Sequence, residues 1–246
     1  MTLARIAAAS SLMNPLAASR GRVLASWRMR ESSVMRALVV RQPGGPEAMR
    51  LQQLPAPQPG PHQVVVAVEA VGVNPVDAGN RADPSWAGVS PPYVVGYEVA
   101  GRIQAVGDGA DRRRGELVWG LLPVRGTRWG TYAELVAIDA ALVGPRPPSL
   151  SAVQAASLPL AGATAIQLLD RLDPKPGEWV LVHGAAGGVG SLLVQLARAR
   201  GARVVASASA QRQPLLRDLG AEVFLDRHAG AVAQQASVAY GRSGLD

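Results

Sequence analysis

The segment Val182-His183-Gly184-Ala185-Ala186-Gly187-Gly188-Val189-Gly190 constrains this chain more than any other. The apolar run Trp179 to Val182 leads into it and reads as a buried strand. After it, Val189, Leu192, Leu193, Leu196 and Ala197 share one face of a helix that Gly201 closes. Strand, glycine turn and helix in that order make an anion site. Backbone without Cβ atoms lets a pyrophosphate come close, and the free N–H groups of the first helical turn meet its charge. Gly187 and Gly188 suit that approach, while Gly190 lets the helix pack on the strand. Taken alone, such glycines are equally an ordinary tight turn. Here strand and helix flank them as dinucleotide binding requires.

The same alternation continues downstream. Strand Arg203 to Ser207, helix Gln211 to Leu219, strand Val223 to Leu225 and helix Ala231 to Tyr240 predict βαβ units and a parallel sheet. Ahead of the turn, Ser151 to Leu172 reads as one helix with Ser151 as its N-cap. Upstream of Pro148 the texture differs. Short strands are expected at Arg36 to Arg41, Val64 to Val71, Val99 to Val106, Glu116 to Trp119 and Tyr132 to Ile138. A proline-rich loop holds Pro55, Pro57, Pro59 and Pro61. Such spacing suggests a small antiparallel barrel or sandwich. The expected organisation is an extension over 1–34, a β-rich domain over 35–150 and an α/β domain over 151–246. The extension holds five arginines and one acid, Glu31, which is the composition of a transit peptide. The simpler expectation is a disordered stretch or a misassigned start, with Met35 as first residue.

Charge and composition exclude several classes. Of the net +7, the extension carries +4, and elsewhere the densest basic cluster, Arg112-Arg113-Arg114, is flanked by Asp111 and Glu116. No concentrated basic surface is expected, so nucleic acid is not an expected partner. Arg5, Asn14 and Pro15 interrupt the only apolar stretch of the extension, so a membrane span is not expected either, and the expected location is cytoplasmic. There is no cysteine, and the histidines are only His62, His183 and His228. A catalytic zinc needs about three protein ligands and an open position, so zinc chemistry is not expected.

Cofactor choice rests on the end of the second parallel strand, where NAD-specific domains place an acid for the ribose 2′-hydroxyl. This chain reads Ala206-Ser207-Ala208-Ser209-Ala210-Gln211-Arg212-Gln213, without a carboxylate. Ser207, Ser209 and Arg212 could donate to a 2′-phosphate, and Arg227 after the third strand is a further donor. Each arginine could equally be a solvated surface residue. The expected cofactor is NADPH.

Five segments carry a resemblance: Val71-Gly72-Val73-Asn74-Pro75-Val76-Asp77, Gly96-Tyr97-Glu98-Val99-Ala100-Gly101, Gly130-Thr131-Tyr132-Ala133-Glu134, Leu158-Pro159-Leu160-Ala161-Gly162-Ala163-Thr164-Ala165 and the glycine turn. In this order and spacing the chain from Met35 on resembles the medium-chain dehydrogenase/reductase superfamily, in its zinc-independent quinone oxidoreductase (zeta-crystallin-like) branch. The resemblance implies a GroES-like catalytic domain followed by a Rossmann domain, a doubly wound parallel sheet. Zinc-dependent members carry a cysteine after the first long strand and a histidine in a G-H-E motif. Here Asn74-Pro75-Val76-Asp77 has no cysteine, and Tyr97 stands in the histidine's place.

By the same resemblance Asn74 lies near the nicotinamide, Thr164 borders the cofactor, and Ala186, Gly187, Gly188 and Val189 hold the pyrophosphate. Ser209 and Arg227 fall at 2′-phosphate positions, while Gln213 stands where relatives often have lysine. The branch often has an active-site tyrosine before the G-x-E motif; this loop offers Trp86 and Tyr93 instead. Tyr97 could hydrogen-bond a substrate carbonyl or be structural. The implied activity is hydride transfer from NADPH to a quinone or enone, in a homodimer when full length. The alternatives are a non-catalytic NADPH-binding protein, crystallin-like or a relic, and the enoyl reductase of a polyketide or fatty acid system. A complete dinucleotide fold has two halves. Gly241 to Asp246 falls where a fourth parallel strand is expected, so the Rossmann domain is expected to be incomplete.

Overall fold

The computed structural model describes residues 34–230. The helix expected over Ala231 to Tyr240, and the extension ahead of Val34, lie outside the described residues. The described chain falls into two compact units, 34–160 and 161–230.

The first unit is β-rich. Strands β1 (Val34–Val40), β2 (Met49–Pro55) and β3 (Gln63–Ala70) precede helix α1 (Pro75–Ala82). Then come β4 (Tyr93–Val94), β5 (Glu98–Val106), β6 (Leu117–Leu121), β7 (Leu135–Asp139), β8 (Val143–Pro145) and helix α2 (Ala152–Ala156). The main sheet has the order β7-β3-β5-β6-β8 and every ladder in it is antiparallel. A smaller sheet runs β2-β1-β4. Strand residues spaced by two point the same way. Val64 and Val66, Val99 and Ile103, and Val136 and Ile138 therefore meet in one buried cluster with Val118.

The expected strands appear within a few residues of their predicted ends, and the short strands β4 and β8 are additional. Three larger features differ. First, β2 was not anticipated. Its sequence MRLQQLP carries two glutamines and little buried surface, because it pairs only with β1 at a sheet edge. Second, α1 is short and contains Gly79, so helical periodicity was invisible. Its start is set by Pro75 and by Asp77, whose side chain accepts from the Asn74 N–H. Third, the single helix expected over 151–172 is two: α2, capped as expected by Ser151, and α3 (Pro159–Leu172). Pro159 has no N–H to donate and restricts the residue before it, so the chain turns at Ser157-Leu158 and starts afresh.

The second unit holds β9 (Trp179–His183), α4 (Gly188–Ala199), β10 (Arg203–Ala208), α5 (Gln213–Leu219) and β11 (Val223–Asp226). The strands pair in parallel, in the order β11-β10-β9. This is the βαβαβ half of a dinucleotide fold. Leu169 of α3, Val180 and Val182 of β9, Val194 and Ala197 of α4, Val204 and Ala206 of β10 and Leu216 of α5 form its core. Helix α5 begins two residues later than expected, behind a 3-10 turn over Ala210–Arg212.

The packing glycine is Gly190. A Cβ there would lie 2.4 Å from the Gly184 carbonyl oxygen and 2.7 Å from Ala185 Cα, both backbone atoms that cannot swing aside. Gly188, two residues earlier at the start of the helix, has nothing within 4 Å of a built Cβ. Gly190→Ala should therefore cost about 1–3 kcal/mol in urea denaturation. Gly188→Ala should leave stability unchanged or slightly raised, because alanine suits a helix better than glycine.

Candidate active site

In the first unit the candidate chemistry collects where α1 starts. Asn74 is the N-cap residue, half-buried, and its backbone N–H donates to Asp77 Oδ2 at 2.7 Å. The Tyr132 hydroxyl donates to the same oxygen at 3.0 Å. The Asn74 side-chain Nδ2 donates to Glu98 Oε2, and Glu98 Oε1 accepts from the Leu160 N–H at 2.6 Å. Glu98 opens β5 and is 1% exposed. Gly72 makes room for it: a Cβ there would fall 1.8 Å from Glu98 Oε2 and 2.7 Å from the Ala156 carbonyl oxygen.

Two carboxyl groups so placed resist ionising. Burial raises the pKa of Glu98, the Leu160 and Asn74 hydrogen bonds pull it back, and the Asp77 charge raises it further. Burial likewise raises Asp77, opposed by the Asn74 N–H and the Tyr132 hydroxyl. Tyr132 is raised by its own burial and then by the Asp77 charge. Asp77 Oδ1 is buried with no hydrogen-bond partner, an unusual state for a carboxylate oxygen.

Tyr97 sits deeper. Its ring belongs to the buried cluster of the main sheet and its hydroxyl accepts from Asn80 Nδ2 at 2.7 Å. Burial, followed by the Asp77 and Tyr93 charges, pushes it up to about 12. The Tyr93 hydroxyl donates to the carbonyls of Asn80 and Arg81 at 3.0 Å each. Trp86 lies apart, half-buried on the 3-10 turn Ser85–Ala87, against the cluster of Val40, Ala87, Val89, Tyr93 and Val95. The structure thus brings Asn74 together with Glu98, Asp77 and Tyr132. Sequence reasoning had not singled out the last three as site residues. The N-x-x-D spacing from Asn74 to Asp77 is an N-terminal capping signal that would have found Asp77. A lone glutamate in a G-Y-E motif carries no comparable sign.

In the second unit the glycine turn forms a cradle. Gly184 turns the chain at φ 67°, and the Gly187 N–H donates to its carbonyl at 3.0 Å. Gly187 is the extended N-cap of α4, with no side chain capping the helix. The exposed Gly188 and half-buried Val189 begin that helix, and Ala186 packs on the core beneath. The Ala185 N–H donates to the Ser207 carbonyl at 3.0 Å, so the turn is tied to β10. The Ser207 hydroxyl is fully buried and has no partner.

Just beyond, Ser209 accepts the Arg212 N–H at 2.9 Å, and the Arg212 side chain is exposed. The Arg227 N–H donates to the Ala208 carbonyl at 3.0 Å, while its exposed guanidinium donates to His228 Nε2 at 2.9 Å. Asp226 lies beside Ala208 in the ladder, and its carboxylate accepts from the His228 N–H at 3.0 Å. Thr164 lies half-buried on α3. Among the described residues no group of three His, Asp or Glu could hold a metal ion, and no helix is long and apolar enough to cross a membrane.

Residues 60–148 match the family model of the alcohol dehydrogenase GroES-like domain. The chain is 37% identical over 201 residues to an NADPH-dependent alkenal/one oxidoreductase, chloroplastic, of Arabidopsis thaliana, covering 78% of this chain and 52% of that protein. It is 36% identical over 220 residues to a quinone oxidoreductase of Rattus norvegicus, covering 87% of this chain and 65% of that protein. A solved structure from Mycobacterium abscessus superposes with a TM-score of 0.74 at 30% identity, over 87% of this chain and 68% of the other. With a GroES-like segment leading into the first half of a Rossmann sheet, the chain belongs to the medium-chain dehydrogenase/reductase superfamily. It spans between half and two thirds of the length of the two enzymes above.

Two measurements follow from the first unit. Tyr97→Phe strands the buried Asn80 amide and should cost about 1–3 kcal/mol in chemical denaturation. Glu98 has a folded pKa raised above its unfolded value, so its contribution to stability is full below the unfolded value of about 4.3 and is lost as pH rises through the folded one. The stability difference between wild type and Glu98→Gln should therefore move against wild type as pH is raised across that window, read as melting temperature against pH.

Proposed function

We propose that this chain carries the NADPH-binding half-site and the catalytic unit of a zinc-independent reductase acting on quinones or enones. The observation that carries the reading is the glycine turn: an uncapped helix start, an open Gly188 and a Gly190 that only glycine can fill. That cradle fits a pyrophosphate, whose charge the free N–H groups at the start of α4 would meet. Support for NADPH over NADH comes from Arg227, Arg212 and Ser209 at the end of β10 and β11. The nearest acid there, Asp226, is engaged by its own loop. The orphaned Ser207 hydroxyl is a further polar group beside the turn.

When bound, the cofactor supplies a hydride to an electron-poor acceptor. The chain's part is to hold it, exclude water and stabilise developing negative charge. By family position Asn74 lies beside the nicotinamide and Thr164 borders the cofactor. Trp86 and Tyr97 remain proposals of a different kind, since Trp86 packs in its own cluster and Tyr97 is bonded inside the core. Both are best read as supports of the α1 region. The functional division proposed is a GroES-like catalytic domain over 35–150 and a Rossmann half over 151–246, with a small-molecule acceptor as partner and a homodimer for the full-length enzyme.

The test is a titration of the full chain with NADPH and NADH by cofactor fluorescence, followed by addition of 1,4-naphthoquinone. NADPH should bind more tightly than NADH and be oxidised when the quinone is added. Gly188→Ala should weaken both cofactors at unchanged melting temperature. Arg227→Ala should weaken NADPH alone, by roughly tenfold, the loss of one charge-assisted hydrogen bond. A folded chain that binds neither cofactor overturns the proposal.

A further inference from the structure

We propose that Glu98 is a positioning residue whose buried carboxylate fixes the side-chain amide of Asn74, so that Asn74 offers its Oδ1, an acceptor, to the bound ligand. The inference rests on the reading that Asn74 faces the reacting end of the cofactor.

An asparagine side chain is ambiguous: its two ends have similar shape and opposite hydrogen-bonding character. A neighbour whose two oxygens both accept, as those of Glu98 do, removes the ambiguity. Glu98 Oε2 accepts a hydrogen bond from Asn74 Nδ2, so the donor end is turned to Glu98 and the acceptor end away from it, toward the first turn of α1. Glu98 itself is held on its other oxygen by the Leu160 N–H at 2.6 Å. It is kept at the site by the absence of a side chain at Gly72. The backbone of Asn74 is fixed separately, through Asp77 Oδ2, which also receives the Tyr132 hydroxyl. Side chain and main chain of one residue are thus clamped by two different buried carboxyl groups. No basic side chain is hydrogen-bonded or ion-paired to either among the described residues.

That is a costly arrangement for a purely structural contact, because a buried carboxylate without a cation is disfavoured against an apolar residue of similar size. It is a sensible one for holding a neutral amide in a single orientation. An offered acceptor suits a hydroxyl or amide N–H on the ligand, and it would repel another carbonyl.

Glu98→Gln tests this with little change of shape. The introduced amide can still accept from the Leu160 N–H, but it then points its own N–H group at Asn74. Asn74 must rotate its amide to accept, and it offers a donor to the ligand instead. The first readout is the side-chain amide pair of Asn74 by NMR of the labelled full chain, which needs no activity. In wild type the two protons should be well separated and slow to exchange, and Glu98→Gln should collapse that signature.

The second readout is turnover of NADPH with 1,4-naphthoquinone. Glu98→Gln should lower kcat by about 10- to 100-fold through misorientation, with the NADPH KM little changed. The exchanged pair Glu98→Gln with Asn74→Asp restores an outward acceptor and should recover part of the loss, which a merely structural role for Glu98 would not produce. An averaged, rapidly exchanging Asn74 amide in wild type overturns the proposal, as does unchanged kcat in Glu98→Gln. An ordered amide in a wild-type chain that oxidises no NADPH sinks the reductase reading and leaves the positioning role standing.

Discussion

Glu98 is a carboxyl group taken out of water with no cation bonded to it among the described residues, and much of the first unit is arranged around that fact. Its two oxygens are satisfied by a main-chain N–H from Leu160 and a side-chain N–H from Asn74. To reach them it needs the space that Gly72 leaves empty. Asn74 in turn starts α1, whose third residue, Asp77, is the second buried acid and the partner of Tyr132. The motifs around Asn74, Glu98 and Tyr132 are far apart in sequence and become one hydrogen-bonded network in space. Burying ionisable groups without paired charge works against stability, and such places are where function is commonly found.

The second unit depends on a different economy. Its turn needs backbone where side chains would normally stand, and it is tightened at Gly190 and opened at Gly188. One glycine serves packing and the other, two residues before it, leaves space, although in the sequence the two look alike. The distinction lies in distance to other backbone atoms, which no local pattern encodes.

That contrast explains how much was legible in advance. The parallel βαβαβ segment could be read because its strands are continuous apolar runs and its helices repeat at 3.6 residues. The antiparallel strands of the main sheet were legible as short β-branched runs bounded by Gly, Pro or Asp, around Val64, Val99 and Val136. Elements without a core-facing stripe were missed: β2 lies at an edge, and α1 spans eight residues with Asp77 and Asn80 as its buried positions. Pro159 was visible but its effect was underweighted, so two helices were read as one. Asn74 and the turn residues came from motif and resemblance. Glu98 as the partner of Asn74 came only from coordinates, since a hydrogen bond across 24 residues leaves no local trace, whereas the capping contact from Asn74 to Asp77 spans three residues and has a local spacing.

Strand β10 anchors more than its own ladder. Its Ser207 carbonyl holds the glycine turn through Ala185, and one residue on, its Ala208 carbonyl holds the loop bearing Arg227. The two proposed contact points for a dinucleotide, one at its phosphates and one at its ribose, are thus fixed to adjacent peptides of a single strand. The main chain acts as a ruler with two marks that cannot drift independently. A lineage built on such a ruler can trade one nucleotide for another by exchanging the side chains at 209, 212 and 227, with the geometry of the phosphate cradle carried over unchanged.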